Sequence, residues 1–153
     1  MGIIENLKDR VSLFNQRLTS GVYIQDIVAD TESVIIDMNA ESQLFEEGVT
    51  SKGVKISDYA PYAQLTIEIK RTKGQPVDRV TLRDEGDFHK SFYLDFNNEQ
   101  FEIKASNWKT EELIRQYGRE ILGLTDENIA SLIWDYLYPD LLETTKRELY
   151  GKH

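Results

Sequence analysis

The sequence has no cysteine and only two histidines, His89 and His153. Without cysteine, the protein cannot form a disulfide scaffold, a thiolate zinc site, an iron–sulfur cluster or a thiol nucleophile. Two histidines also cannot supply a metal site built from several histidines. We therefore expect no metal and no cofactor, and a chain of 153 residues is long enough to build an apolar core that needs neither.

Long apolar runs are missing as well. No stretch approaches the roughly 18 to 20 consecutive apolar residues that span a bilayer. The first residues, MGIIENLKDR, do not form a basic segment followed by an apolar one. We expect a soluble protein that is made and kept in a cytoplasm and that has no membrane partner.

Basic residues are in deficit. The chain carries 18 lysines and arginines against 27 aspartates and glutamates, which gives a formal net charge of −9. A field of this sign repels phosphate backbones, so we expect no sequence-specific binding of nucleic acid. Residues 61–108 are nearly neutral, with 8 acids and 7 bases, whereas both flanking regions are acidic.

The first third of the sequence predicts helices. Apolar residues recur every three or four positions in two successive stretches, with charged residues between them. The first stretch predicts an amphipathic helix that ends near Gly21. The second predicts one long helix over residues 22–46, which Gly48 stops.

Residues 62–73 fit two patterns. Leu65, Ile67 and Ile69 alternate with polar neighbours as in a strand, whereas Pro61 suits the position before a short helix. Periodicity alone leaves both interpretations open.

Alternating apolar and polar residues predict antiparallel β-structure over residues 79–106. The clearest part is a hairpin, with strands near residues 91–96 and 100–105 around a turn at Asn97-Asn98, a pair that tolerates positive φ. An extended segment before the hairpin would make the sheet a meander.

Helical patterns return after the predicted sheet. Thr110 and Thr125 are candidate N-caps of two helices, because a threonine hydroxyl can accept a hydrogen bond from the first helical turn. Gly118 or Gly123 is expected to end the first of these helices. Pro139 is expected to kink or restart the second. We find no repeat and no linker, so these patterns predict a single α+β domain.

Three carboxylates, Asp84, Glu85 and Asp87, surround Gly86. Such a group can ligate a hard cation, but its spacing does not match the twelve-residue calcium loop, and a solvated turn is the simpler interpretation. A hydrolase that uses Glu85, Asp87 and His89 would need these side chains to converge, and no serine or orienting group stands out as its nucleophile. We therefore do not expect an enzyme.

The end of the chain is rich in large aromatic residues. We expect some of their rings to face a partner, because aromatics are enriched at interface anchors. The alternative is that they fill the core, since a helix packed between two layers is apolar on most sides. The residues are Trp108, Trp134, Tyr136 and Tyr138.

Four motifs run through residues 43–125: QLFEEGVTSKGVKISDYAPYA, KRTKGQP, VTLRDEGDFHKSFYLDF and LIRQYGREILGLT. This pattern is similar to that of virion-morphogenesis and tail-completion (neck, head–tail joining) proteins of tailed bacteriophages and related prophages. In that family a glycine-containing loop, a basic helical segment, a strand and a hairpin follow a long helix. The matching positions are Gly53, Ile56, Tyr59, the segment from Lys70 to Gly74, Leu82, Gly86, Phe88, Ser91 and Phe92. Ile56 replaces the usual Trp, and Glu85 replaces a frequent Thr or Ser.

The resemblance implies a helix within residues 62–73 and a small curved antiparallel sheet packed on the long helix. The single domain would then comprise helices at 1–47, a loop and short helix at 48–78, the sheet at 79–106 and helices at 109–150. The resemblance also implies a non-enzymatic part that forms a homo-oligomeric ring at the head–tail junction. Such a protein contacts connector, neck or tail-tube proteins. It is assembled in the bacterial host cytoplasm and is located in the virion.

Opposite charges could serve such assembly, because neighbours in a ring meet through two different faces. The near-neutral middle supplies basic residues and the terminal helices supply acidic ones. The alternative function, based on the net charge and the aromatic residues, is an acidic soluble adaptor or inhibitor that binds a basic host protein. The interface candidates are Lys70, Arg71, Arg79 and Arg83, together with the four aromatic residues above.

Overall fold

The computed structural model describes residues 2–97 and 100–151, and its backbone divides into two compact units. Unit 1 combines the two ends of the chain, Met1–Glu32 and Ala130–His153, and unit 2 is Ser33–Ile129. The single domain expected from the sequence stays a prediction. Among the described residues, no helix is both long and apolar enough to cross a membrane.

Helices make up nearly all of unit 1 and about half of unit 2. The strands are β1 (Phe92–Asn97) and β2 (Gln100–Ala105), and two segments, Met38–Glu47 and Leu132–Leu137, are π-helical. Short 3₁₀ turns lie at Ile56–Asp58 and Arg119–Ile121. This order of helices, a small antiparallel sheet and further helices confirms the predicted α+β class. The α-helices are α1 (Ile3–Thr19), α2 (Val22–Asp30), α3 (Glu32–Asp37), α4 (Gln64–Thr72), α5 (Asp87–Lys90), α6 (Thr110–Tyr117), α7 (Asp126–Ser131) and α8 (Tyr138–Tyr150).

The N-terminal helices differ from the prediction in continuity. Helix α1 ends before Gly21 as predicted, because Gly21 adopts a φ of 75°. Residues 22–46 do not form one α-helix: the run is interrupted at Thr31, whose hydroxyl donates to two carbonyl groups of the preceding turn. The run continues as α3 and a π-helical segment. Gly48 then ends it at a φ of 66°, as predicted.

The ambiguous residues 62–73 are helical, since they contain α4. This confirms what the family resemblance implied. Leu65 and Ile69, which alternate with polar residues in the sequence, are exposed on α4 and do not form a buried face.

Strands β1 and β2 form the predicted hairpin. Their register pairs Phe92 with Ala105 and Leu94 with Ile103. Phe92, Leu94 and Ile103 are buried, so one face of the hairpin covers the core of unit 2. Of the predicted turn, Asn98 lies outside the described residues.

The β-structure predicted over residues 79–106 is smaller than expected, and the meander is wrong. Before the hairpin, the backbone amide of Thr81 donates to the Tyr62 hydroxyl at 3.0 Å instead of to a neighbouring strand. Leu82 adopts a φ of 53°, which an extended strand does not allow. The chain then turns into α5. Among the described residues, the sheet therefore has two strands.

The predicted caps of the C-terminal helices have different outcomes. Thr110 does not cap α6, because its hydroxyl donates to the carbonyl oxygen of Asn107 at 2.6 Å. Gly118 ends α6 as predicted, with a φ of 92°. Thr125 caps α7, since its hydroxyl oxygen accepts from the amide of Asn128 at 3.2 Å.

Pro139 lies at the start of α8, directly after the π-helical segment Leu132–Leu137. A proline has no N–H group with which to continue the hydrogen-bond ladder of the preceding turn. The helix changes here from π to α geometry, but its backbone stays helical through Leu137 and Tyr138, so it does not stop and restart as one of the two predicted outcomes required.

The core of unit 2 combines apolar packing with a buried amide clamp. The side chain of Asn39 donates to the carbonyl of Ile121 at 3.1 Å and accepts from the amide of Gly123 at 3.0 Å. The side chain of Gln43 donates to the Gly123 carbonyl at 2.9 Å and accepts from the Thr125 amide at 2.8 Å. Both side chains are fully buried and hold the loop before α7 against the π-helical segment. The fully buried apolar residues of this core are Ile35, Leu44, Ile56, Val80 and Ile121.

Candidate functional site

An aromatic ridge marks the surface of unit 1. Trp134 is 64% exposed although it is one of the largest side chains in the chain. Its ring meets that of Tyr138 edge to face, with centroids 5.5 Å apart. The two rings are held together because the residues are four positions apart on a continuous helical path. Tyr136 is exposed in the same segment.

Helix α1 adds a second exposed apolar region to unit 1. The sequence pattern places Ile3, Ile4, Leu7 and Val11 on one stripe, yet all four are exposed. Phe14 is the buried residue of this helix, and its ring lies 5.4 Å from that of Tyr23. The stripe predicted for α1 therefore packs at one point and is open elsewhere. We call these exposed residues of α1, with Trp134, Tyr136 and Tyr138, the apolar surface of unit 1.

Trp108 belongs to unit 2 and precedes α6. It is 80% exposed, and the ammonium group of Lys109 lies 5.2 Å from its ring centroid. This cation–π contact leaves most of the indole at the surface. The four aromatic candidates are thus all exposed, three in unit 1 and one in unit 2.

Lys70 does not behave as an interface residue. It is only 6% exposed, and its ammonium group donates to Gln75 Oε1 at 3.0 Å and to the carbonyl of Arg83 at 2.7 Å. The ammonium also lies 5.1 Å from the ring centroid of Tyr62. Because these groups use its charge inside unit 2, the structure contradicts the expectation that Lys70 offers a surface charge.

Arg79 and Arg83 are also engaged within unit 2, at Phe45. Their guanidinium carbons lie 5.9 and 4.5 Å from the Phe45 ring centroid. Arg83 pairs with the carboxylate of Glu41 at 2.9 Å, and Arg79 donates to the Phe45 carbonyl at 2.8 Å. Arg71, by contrast, is exposed and makes no ion pair with any described residue. Of the four basic candidates, Arg71 presents its charge most freely.

The first group of family-motif residues builds the loop after Gly48. Gly53 adopts a φ of 69°, and its amide donates to the carbonyl of Thr50 at 2.9 Å, which closes a tight turn. Ile56 is fully buried in the core of unit 2. Tyr59 donates its hydroxyl to the carbonyl of Tyr117 at 2.6 Å. Burial raises the pKa of Tyr59, and the negative charge of Glu120 raises it further.

The second group of motif residues shapes the turn into β1. Leu82 and Gly86 adopt positive φ values of 53° and 88°. The rings of Phe88 and Phe92 pack edge to face, with centroids 4.9 Å apart, and Ser91 donates to the Phe88 carbonyl at 2.7 Å. These residues position the hairpin and offer no reactive group at the surface.

The acidic turn and His89 do not form a joint site. Asp84 pairs with Lys73 at 2.6 Å, and this hydrogen bond lowers the pKa of Asp84. Glu85 and Asp87 are exposed, whereas His89 is buried. Among the described residues, no group of three or more acidic or histidine side chains is placed to hold a metal ion. His153 lies outside the described residues.

Burial makes His89 an unusual histidine. Desolvation lowers its pKa to about 4, and the positive charge of Arg83 acts in the same direction, while Glu41 and the backbone of Thr81 oppose this shift. Within the described residues, neither ring nitrogen has a hydrogen-bond partner of normal geometry. Its ring packs against Phe88 and Phe92. His89 is therefore neutral at pH 7 and serves the core.

Each unit contains one open cleft of note. In unit 2, a cleft of about 300 Å³ lies beside Lys70, Asp84 and Tyr117. Lys70 already donates to the Arg83 carbonyl, and Asp84 already pairs with Lys73. In unit 1, a cleft of about 490 Å³ is lined by acidic side chains of α2 and α8. Sequence reasoning missed this second cleft because its two acidic walls lie more than 100 positions apart. The excess of acids in the terminal regions is the only signal that pointed to it.

Comparison of the chain with known protein families, curated proteins and solved structures finds no match. The resemblance to phage tail-completion proteins therefore rests on the sequence motifs alone.

Proposed function

We propose that this protein is a structural component of a tailed-phage virion or a prophage. It acts there as a tail-completion or head–tail joining (neck) protein through oligomeric protein–protein contacts. Its partners are copies of itself and neighbouring connector, neck or tail-tube proteins. It is assembled in the bacterial host cytoplasm, works in the virion and performs no catalysis.

The apolar surface of unit 1 is the observation that carries this proposal. Trp134 and Tyr138 contact each other while both are exposed, and clusters of exposed apolar side chains mark interaction sites. Aromatic anchors such as Trp134 and Tyr138 supply much of the binding energy at protein interfaces. A protein that acts in an assembly needs such a surface. The sequence motifs that resemble the phage family are the basis for proposing the head–tail junction as that assembly.

Light scattering of the purified chain tests this proposal. The solution mass is measured over a concentration series, at low and at high salt, with and without connector and tail-tube proteins of a tailed phage. We expect a discrete oligomer, or a monomer that assembles when these proteins are added. A monomer that ignores them at every concentration would contradict the proposal.

The acid-lined cleft favours a second candidate function, an acidic adaptor or inhibitor that binds a basic host protein. This function predicts a stable monomer whose mass rises when a basic protein of the host is added. The same light-scattering series separates the two functions, because the adaptor does not respond to virion proteins.

A further inference from the structure

Strand β2 of unit 2 has an outer edge that faces away from β1. Within the described residues the sheet consists of β1 and β2, so β2 has a strand on one side only. The amide of Ser106 donates to the carbonyl of Ser91, the residue opposite it, at 3.1 Å. Opposite residues of an antiparallel pair are hydrogen-bonded at every second position. The backbone groups of Phe101, Ile103 and Ala105 therefore point away from β1.

These outward backbone groups are largely unused. Among the described residues, those of Phe101 and Ile103 have no hydrogen-bond partner, and the carbonyl of Ala105 accepts only from the Thr110 hydroxyl, at 3.3 Å. Of the described helices and strands, β1 alone runs along β2. An edge of this kind is a template on which another strand can pair.

The solvent face of β2 carries a charge pattern that the single chain does not balance. Glu102 lies directly opposite Asp95, and like charges at opposite positions destabilise a sheet. Lys104 pairs with Asp95, whereas its ammonium group is 3.9 Å from the Glu102 carboxylate, at the outer limit of an ion pair. Glu102 is exposed and therefore lacks a close counter-charge among the described residues.

The sequence of β2 is complementary to itself when Ile103 lies opposite Ile103 of a second, antiparallel copy. In this register Glu102 lies opposite Lys104 of the second copy, and the two-fold symmetry repeats the pair. The two adjacent registers that keep the same core face place Glu102 opposite itself or Lys104 opposite itself. A lysine on an edge strand usually discourages pairing. Here Glu102, two positions earlier, makes the charges favour one register.

We propose that two copies of this chain pair along the outer edges of β2 in this register and form one four-stranded antiparallel sheet. The two Ile103 residues exchange backbone hydrogen bonds, and Phe101 pairs with Ala105 of the second copy. The small side chain of Ala105 leaves room for the Phe101 ring beside it. Sheets of about four to six strands are also more common than two-stranded ones.

This contact goes beyond the proposed function. It is two-fold, because the same edge serves both copies, so it joins two chains and then stops. The ring contacts of a head–tail joining protein are heterologous and do not require it. The contact also uses no residue of the apolar surface of unit 1.

Cysteine cross-linking tests the register directly, because the native chain has no cysteine. Glu102→Cys and Lys104→Cys are purified separately, mixed in equal amounts and oxidised. In the proposed register the two cysteines are opposite each other, with Cα atoms about 4.5 Å apart, which a disulfide spans. Two cysteines of the same variant lie on diagonal positions about 7–8 Å apart, which is too far for ready bridging. We expect disulfide dimers to form at least about fivefold faster in the mixture than in either variant alone.

A mixture of Glu111→Cys and Glu112→Cys is the control for random collisions, since both positions are exposed on α6 in unit 2. It should show no preference for the mixture over the separate variants. Cross-linking at β2 no faster than in this control would remove the contact. Equal rates for the β2 mixture and its separate variants would contradict the register.

Charge reversal tests the Glu102–Lys104 pairs. Glu102→Lys or Lys104→Glu alone places like charges opposite each other in both halves of the contact, whereas a mixture of the two variants restores opposite charges. By sedimentation equilibrium, we expect each variant alone to dimerise at least about fivefold more weakly than the native chain, and the mixture to recover to within about twofold. The control Glu111→Lys should change dimerisation less than about twofold. Unchanged dimerisation of the single variants, or no recovery in a mixture of variants that circular dichroism shows to be folded, would overturn the proposal.

The same cross-link separates this inference from the proposed function. Trp134→Ala/Tyr138→Ala, introduced into both cysteine variants, should leave the cross-link intact. A missing cross-link in a chain that still assembles with connector or tail-tube proteins would reject strand pairing alone. A cross-linked dimer that does not respond to these proteins would support strand pairing and contradict the proposed function.

Discussion

The two units differ in where their apolar side chains lie. Among the described residues, fourteen exposed large apolar residues belong to unit 1 and eight to unit 2, although unit 2 is the longer. Five buried apolar residues belong to unit 1 and thirteen to unit 2. Unit 2 therefore closes around its own core, whereas unit 1 leaves most of its large apolar side chains exposed.

Buried polar groups, by contrast, do not distinguish the two units. In unit 2, Asn39 and Gln43 satisfy buried backbone groups of the loop before α7. Among the described residues, the Tyr23 hydroxyl in unit 1 and both ring nitrogens of His89 in unit 2 are buried without a partner. The distribution of apolar side chains is therefore the feature that separates the two units.

Truncation of one isoleucine in each unit tests this comparison with the largest expected difference in stability. Ile35→Ala removes a fully buried side chain of unit 2 and should lower the free energy of unfolding by about 2–5 kcal/mol. Ile4→Ala removes an exposed side chain of unit 1 and should change it by less than about 0.5 kcal/mol. Urea unfolding of both variants measures the difference. Similar losses would mean that α1 belongs to a closed core.

The amide clamp gives the next largest effect. Asn39→Ala leaves the Ile121 carbonyl and the Gly123 amide without their buried partner and should cost about 2–4 kcal/mol of stability. Asn15→Ala on exposed α1 is the control and should stay within about 0.5 kcal/mol. Equal free energies of unfolding for both variants, measured in urea, would show that the clamp does not hold the loop.

His89 predicts how the stability of unit 2 depends on pH. Its pKa is about 4 in the folded chain, below the ordinary value of 6.5, so the unfolded chain binds more protons between these values. Neutral His89 therefore favours the folded chain fully only above pH 6.5. As the pH falls, the free energy of unfolding decreases, by about 3 kcal/mol at pH 4. His89→Leu should remove this part of the acid sensitivity. Equal pH profiles of unfolding for both proteins would contradict a buried neutral histidine.

The cap of α7 gives the smallest effect. Thr125→Ala removes the acceptor of the Asn128 amide and should cost about 1 kcal/mol, whereas Thr125→Ser keeps the hydroxyl and should cost less. Thermal unfolding of the two variants measures the difference. Identical melting temperatures would show that the cap contributes nothing.

Local patterns predicted the elements that local forces determine. Helix α1, the hairpin and the Thr125 cap follow from apolar spacing and capping chemistry, and the structure confirms them. The meander failed because Thr81 finds its partner in the Tyr62 hydroxyl, a contact between positions 19 residues apart that no pattern displays. The π-helical segments were missed because their apolar spacing still resembles that of an α-helix.

The candidate site shows the same division between features that local patterns predict and features that depend on distant contacts. Exposure of Trp108, Trp134 and Tyr138 agrees with the expectation that aromatic rings face a partner. The charge of Lys70 was misjudged because its burial depends on Gln75 and Arg83 folding back over it. The cleft at Tyr23 could not be predicted, since the chain brings α2 and α8 together only in three dimensions.

The most direct test of the central claim, that unit 1 carries an interaction surface, is sedimentation equilibrium combined with thermal unfolding. Trp134→Ala/Tyr138→Ala is compared with Leu65→Ala/Ile69→Ala, which removes exposed apolar residues of α4 in unit 2. We predict that the first variant weakens self-association or partner docking at least about tenfold, with little change in melting temperature, and that the control changes neither. A large drop in melting temperature with association unchanged would identify Trp134 and Tyr138 as core residues and contradict the account.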